Sequence, residues 1–343
     1  MPSNAYFYNH IDPHGQWQFT QIEVSKDFTP YYRLLTGGTK QRYLLANDTS
    51  TNNPNHGHTL YWGRVSADYY DIFFLRHNKP LAREFMPVRP ITSSDIETFK
   101  QANSANPNQY WADFYAQALI ASPATILHQG QWRITTGVTE KLDRYAPIDW
   151  WQDCDYQFEY HNEPTACFMW EDHHNNPFPL KPPPKADDGR VKWWRKKIRE
   201  NACPPILLWW QRNLLNHIVI DGHNRWLAYQ LENKKPEVLV ISAFKTTNYP
   251  YIDDPKRRLQ VLQNLKQYVS DKKNEKFINI KHINDILIKT YHTNTPEYDA
   301  VTVGKPIKNL DERWEKEVTA LLSHINPNDG FKKGDLEYFL AED

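Results

Sequence analysis

The chain has 343 residues, 40% of them hydrophobic, enough to bury a real core and too apolar for a disordered polypeptide. Its 41 basic and 41 acidic side chains cancel, which makes nucleic acid the weaker choice of partner, yet they are unevenly spread: 15 − 21 = −6 up to residue 189, and 26 − 20 = +6 beyond it (41 − 15 and 41 − 21). No stretch approaches ~20 apolar residues, the opening MPSNAYFYNH carries no signal pattern, and Cys154, Cys167 and Cys203 have no metal-ligand spacing, so a cytoplasmic chain with no membrane partner is expected.

In chain order, 1–145 reads as an α+β region. Runs rich in Tyr, Phe and β-branched residues predict strands at 17–24, 31–35, 41–45, 60–65 and 70–76, with a polar loop, NDTSTNNPNHG, at 47–57. Ser94-Asp95-Ile96-Glu97 has a capping-box pattern that opens one helix, a second covers 108–121, and GQWRITT at 130–136 is a strand. Residues 146–184 form a connection rich in Pro and aromatics that ends at Lys181-Pro182-Pro183-Pro184. Within it Glu171-Asp172-His173-His174 reads as a solvated loop, because consecutive residues cannot all face one ion.

The stretch 185–248 is the most regular. Val191, Trp194 and Ile198 recur at helical spacing over 191–201, and Cys203-Pro204-Pro205 stops that helix. ILLWW at 206–210 is a buried strand, HIVI at 217–220 another, 224–232 a helix and EVLVISAF at 237–244 a third strand. The C-terminal region, 249–343, reads as helical, with helices at 256–273, 279–291 and 310–325 and a short one at 332–343.

The most informative residues are Asp221-Gly222-His223-Asn224-Arg225, where a strand turns sharply into a helix. Free backbone N–H groups at a helix N-terminus attract anions, Gly222 permits close approach, and an arginine nearby can fork onto phosphate oxygens. The turn reads as a phosphate cradle made by Gly222, His223, Asn224 and Arg225. On that reading Arg225→Ala loses the ligand and keeps the fold. Arg190, Lys192, Arg195, Lys196, Lys197 and Arg199 make a basic helix face that is either solvated or adds positive potential to the cradle.

The order helix, PPILLWW, HIVIDGHNR, helix, EVLVISAF resembles the ParB/sulfiredoxin-like superfamily over about 180–245, and the Asp-Gly-His-x-Arg form is most similar to the branch with the ADP-dependent serine kinases. Sulfiredoxins carry a catalytic Cys in this turn where His223 stands here, and partition-type ParB proteins have Glu-Arg-Arg where this chain has His223-Asn224-Arg225. The kinase-like branch has an upstream Pro-x-x-Glu; Pro184-Lys185-Ala186-Asp187 sits near that place with Asp in place of Glu. The resemblance implies an α+β fold with a central ParB/sulfiredoxin-like module and phosphate binding at Arg225. It further implies Asp187 or Asp188 as the base, Asp221 as an orienting or Mg²⁺-facing carboxylate, and ADP or ATP with Mg²⁺ as ligand. A small-molecule, kinase-like enzyme is one expectation. A cytoplasmic immunity protein or antitoxin that neutralises a toxin and keeps the module as scaffold is the other, since most of the chain lies outside the module.

Overall fold

β1 (Ala5–Ile11) and β2 (Trp17–Val24) form the first hairpin of a computed structural model, which describes residues 4–25, 32–37, 42–47, 58–65, 72–76, 86–136, 166–169, 177–181, 184–214, 216–247, 255–270, 283, 286–287, 297–306 and 308–322. Next come β3 (Tyr32–Gly37), β4 (Arg42–Asn47), β5 (His58–Val65) and β6 (Ile72–Arg76), an antiparallel meander. Two helices follow, α1 (Ser93–Ala102) and α2 (Pro107–Ala121), then β7 (Gly130–Thr135), β8 (Ala166–Met169) and β9 (Phe178–Pro179). The module is α3 (Gly189–Arg199), β10 (Ile206–Gln211), β11 (Asn216–Asp221), α4 (His223–Leu231) and β12 (Val238–Thr247). Beyond it lie α5 (Pro255–Ser270), β13 (Glu297–Val301), β14 (Lys305–Pro306) and α6 (Leu310–Leu322). The fold class is α+β. Among the described residues no helix is long and apolar enough to cross a membrane.

One large sheet carries the order β1-β2-β7-β12-β10-β11-β9. β10 and β12 run parallel, and β11 is antiparallel to β10. This corrects the expected separation of 1–145 from 185–248: Ile22 of β2 faces Trp132 of β7, whose neighbour Ile134 faces Ile241 of β12. ILLWW at 206–210 and LVIS at 239–242 are buried along their length, so β12 needs a strand on its outer side, and β7 supplies it. Contacts accordingly group the chain into two units, Met1–Phe244 with Ala300–Asp343, and Lys245–Asp299.

A second sheet has the order β14-β3-β4-β5-β6-β8. Two of its strands come from segments read as something else. β8 lies in the supposed connection and pairs with β6, Phe168 opposite Phe73. β14 lies in the supposedly helical C-terminal region and runs parallel to β3. Four and two residues are too few to show a period, which is why neither strand is legible. Tyr61 on β5 links this sheet to the first by donating to Gln211 Oε1 at 2.7 Å. Gly63 leaves room for Leu214, whose Cδ2 would lie 3.0 Å from an added Cβ. α6 closes over β5, with Trp314 edge-on to Trp62 at 5.3 Å and Glu317 Oε2 accepting from Thr59 Oγ1 at 2.7 Å.

Local chemistry explains the helix starts. α1 does have a capping box, two residues earlier than expected: Thr92 Oγ1 accepts from the Asp95 N–H, and the Asp95 carboxylate accepts from the Thr92 N–H at 2.7 Å. Asp95 wins over Glu97 because Arg89 also grips it, at 2.6 and 2.8 Å, holding its carboxyl well below the usual carboxylate range. α2 starts on Asn106 with Pro107 behind it, as a first helical turn favours. In the second unit, none of the described side chains of α5 is buried, and Leu259 and Val269 are exposed. The helix expected at 332–343 and the loop at 171–174 lie outside the described residues, as does 279–291 apart from helical residues 283, 286 and 287.

Candidate functional site

Val191, Trp194 and Ile198, the three residues that set the period of α3, are all buried, and their face presses α3 against α4. This packing places the α3 start beside the β11–α4 turn. Gly222 caps α4 at φ +114°, a left-handed conformation that side chains rarely adopt, and among the described residues no side chain caps the helix. Asn224 thus lies within the first turn of the helix. Trp226 N–H makes the first intrahelical bond, to the Gly222 carbonyl at 2.8 Å, which leaves the amides of His223, Asn224 and Arg225 without intrahelical acceptors.

A cavity of about 240 Å³ opens at this helix end. Asp221, Gly222, His223, Asn224 and Arg225 line it, so the structure does bring the sequence-predicted cradle together. Lys181 and Arg190 join them, while Met86, Val88, Pro90 and Ile91 make an apolar wall. Among the described residues, three cationic side chains therefore surround one carboxylate at the positive end of a helix.

Each member has a distinct role. Arg225 is 2% exposed, and its Nη2 lies 2.6 Å from Asp221 Oδ2, 3.0 Å from Tyr115 Oη and 3.1 Å from the Pro205 carbonyl. The Tyr115 hydroxyl passes the chain on by donating to the same carbonyl at 2.5 Å. Burial opposes the charge on Arg225, but Asp221 and its other neighbours outweigh burial and raise its pKa above the usual arginine value. Its Nε, buried as well, has no hydrogen-bond partner among the described residues. Arg225 is thus first an internal brace between α2, the β10 entry and β11, where the sequence suggested an open fork for phosphate.

His223 is also committed differently. Its Nε2 accepts the backbone N–H of Lys181 at 3.2 Å, which ties the end of the β9 segment to the turn. β9 itself pairs in parallel with β11, Phe178 opposite Ile218, and this pairing delivers Lys181 to the cavity. Burial lowers the pKa of Lys181, with Asp221 acting against that shift. Arg190 reaches the Ile91 carbonyl with Nη2 and stacks over Trp193 and Trp194 at 4.3 and 4.7 Å. Trp194 meets Arg225 at 5.0 Å as well, so one buried indole faces two guanidinium groups. Burial and the charge of Arg225 lower the pKa of Arg190.

Asp187 and Asp188 do not line the cavity. Both are exposed, and Asp188 accepts the Lys185 N–H at 2.9 Å in the turn before α3. No family model, curated protein or solved structure matches the chain. Site chemistry therefore stands on these residues alone. Cys203 is a half-buried free thiol whose pKa burial pushes up to about 11, which keeps it in its unreactive form near neutrality. Among the described residues no group of three or more His, Cys, Asp or Glu could hold a metal ion.

Sequence reading missed Lys181, seen only as the start of a proline run, and Tyr115, one aromatic among many. Gly222 holds the turn at positive φ, and its role there is testable. A Cβ there would sit 3.0 Å from Ile206 Cγ2 and 3.1 Å from Arg225 Nη2, on a backbone already at positive φ. Gly222→Ala is expected to lower unfolding stability by about 1–3 kcal/mol in urea denaturation. An unchanged midpoint would show that the turn relaxes freely.

Proposed function

We propose that the cavity at the start of α4 binds the phosphate group of a small phosphate ester or nucleotide. The observation that carries this reading is the charge balance among the described lining residues, Lys181, Arg190 and Arg225 against Asp221, at a helix N-terminus where the Asn224 and Arg225 amides have no intrahelical acceptor. In this reading Lys181, Arg190 and the amides of Asn224 and Arg225 hold the anion, while Asp221 and Arg225 set the shape of the turn. About 240 Å³ is below the ~300–1,000 Å³ of a site that encloses a drug-sized ligand. The phosphate end enters, and a nucleoside, where present, extends past the apolar wall at Met86.

The element order around the turn supports the proposed kinship with the ParB/sulfiredoxin-like superfamily and its kinase-like branch. The residues fit a phosphate. A Mg²⁺ ion carried in with ADP or ATP would find one carboxylate here, Asp221, beside the phosphate oxygens themselves. Asp221 is engaged by Arg225, and the lining holds no second carboxylate among the described residues, so the proposal is binding.

Thermal-shift titrations with inorganic phosphate, ADP and ATP, with and without Mg²⁺, test this on the full chain beside Lys181→Ala and Arg190→Ala. Phosphate or nucleotide should raise the melting temperature, and each substitution should weaken binding about tenfold or more. Chloride at matched ionic strength is the control. Absence of any shift with phosphate and both nucleotides would overturn the reading and turn the search to a protein partner such as a toxin.

A further inference from the structure

Among the described residues β1 pairs with β2 and with no other strand, so it forms the outer edge of its sheet. Natural edges are usually blunted by lysine, proline, a bulge or short length. The seven residues AYFYNHI contain no proline, lysine or acid, and the one irregularity lies at the far end, between His10 and Ile11. On one face Tyr6, Tyr8 and His10 follow each other and continue into Phe19 of β2, with ring centroids 6.2, 5.2 and 4.0 Å apart. Tyr6 is 60% exposed and Tyr8 40%.

The direction of the backbone groups can be worked out. Ser25 N–H donates to the Asn4 carbonyl at 2.8 Å, and the register places Ala5 opposite Val24. Antiparallel strands alternate between residues that bond across the pair and residues that do not. Asn4, Tyr6, Tyr8 and His10 therefore bond to β2, and Ala5, Phe7 and Asn9 turn their N–H and C=O groups outward. The free edge is a regular ladder from residue 5 to residue 9.

We propose that β1 pairs antiparallel with β1 of a second copy of this chain, about a two-fold axis at Phe7. In that register Phe7 faces Phe7, and Ala5 of one copy faces Asn9 of the other, so every outward group meets a complement. The same register puts Tyr6 of one copy opposite Tyr8 of the other, in the pair type whose Cα atoms approach to ~4.5 Å. The exposed aromatic row then runs unbroken across the axis. No carboxylate or ammonium group within the strand meets its like, a repulsion that two-fold symmetry would otherwise enforce. A second copy is favoured over an unrelated strand because one register satisfies both the backbone ladder and the ring row.

Sedimentation equilibrium on the full chain at roughly 10–100 µM is expected to show twice the 40.7 kDa chain mass. Tyr6→Lys with Tyr8→Lys brings lysines face to face across the axis and should weaken the dimer about tenfold or more, with the far-ultraviolet spectrum unchanged. Register is read by cross-linking: Tyr6→Cys chains mixed with Tyr8→Cys chains should form a disulfide dimer on mild oxidation, and neither variant alone should exceed the parent. A parent chain that stays monomeric overturns the proposal. So does cross-linking that is as strong in Tyr6→Cys alone as in the mixture.

Discussion

Arg225→Ala is expected to cost about 3–5 kcal/mol of folding stability, well beyond the loss of a ligand contact. The substitution leaves Asp221, Tyr115 Oη and the Pro205 carbonyl without the cation that joins them, and it empties a site that is 2% exposed. Trp194 loses one of its two guanidinium neighbours in the same step. Breaking one side of a buried pair is costly because the other charge stays behind, whereas removing both can be nearly neutral. Urea denaturation of Arg225→Met, Asp221→Asn and the double variant separates these terms. The double variant should be more stable than Arg225→Met alone. An Arg225→Ala chain with the parent's midpoint would refute the brace and restore the open-fork reading of this arginine.

That reversal marks the limit of what the sequence could say about the site. Strand–turn–helix order and the special role of Gly222 were legible, because a β-branched run, Asp-Gly and a helical period are local signals. Val191, Trp194 and Ile198 named the buried face of α3 for the same reason. Solvent access at Arg225 was not legible. It depends on Tyr115, 110 positions away in sequence, and on a carbonyl at the entry to β10. Lys181 was hidden because a strand of two residues, β9, brings it to the turn. β1 escaped notice because its outward tyrosines erase the apolar–polar alternation that reveals a half-buried strand. The supposed border at residue 185 dissolved because β7 and β12 pair across more than a hundred residues, a contact with no local trace.

Acid should unfold the chain partly through His217. This histidine lies on β11, four residues before Asp221, with its ring 4.6 Å from that of Trp210. Burial pushes its pKa down to about 3, so it is neutral in the folded protein. In the unfolded chain it titrates near the ordinary value of ~6.5. Below that pH the unfolded state takes up a proton that the folded state refuses. Its contribution is complete above pH ~6.5 and is lost progressively as the pH falls toward 3, by up to ~1.4 kcal/mol per unit. At pH 4.5 the loss amounts to about 3 kcal/mol. His128, whose pKa burial also lowers, acts in the same direction, whereas Asp113, raised by burial, acts in the opposite one. Urea denaturation of the parent and of His217→Leu between pH 7.5 and 4.5 isolates the single histidine. The parent should lose about 3 kcal/mol more than the variant over that range. Parallel profiles would mean that His217 is protonated within the fold, and β11 would then have to carry a buried charge.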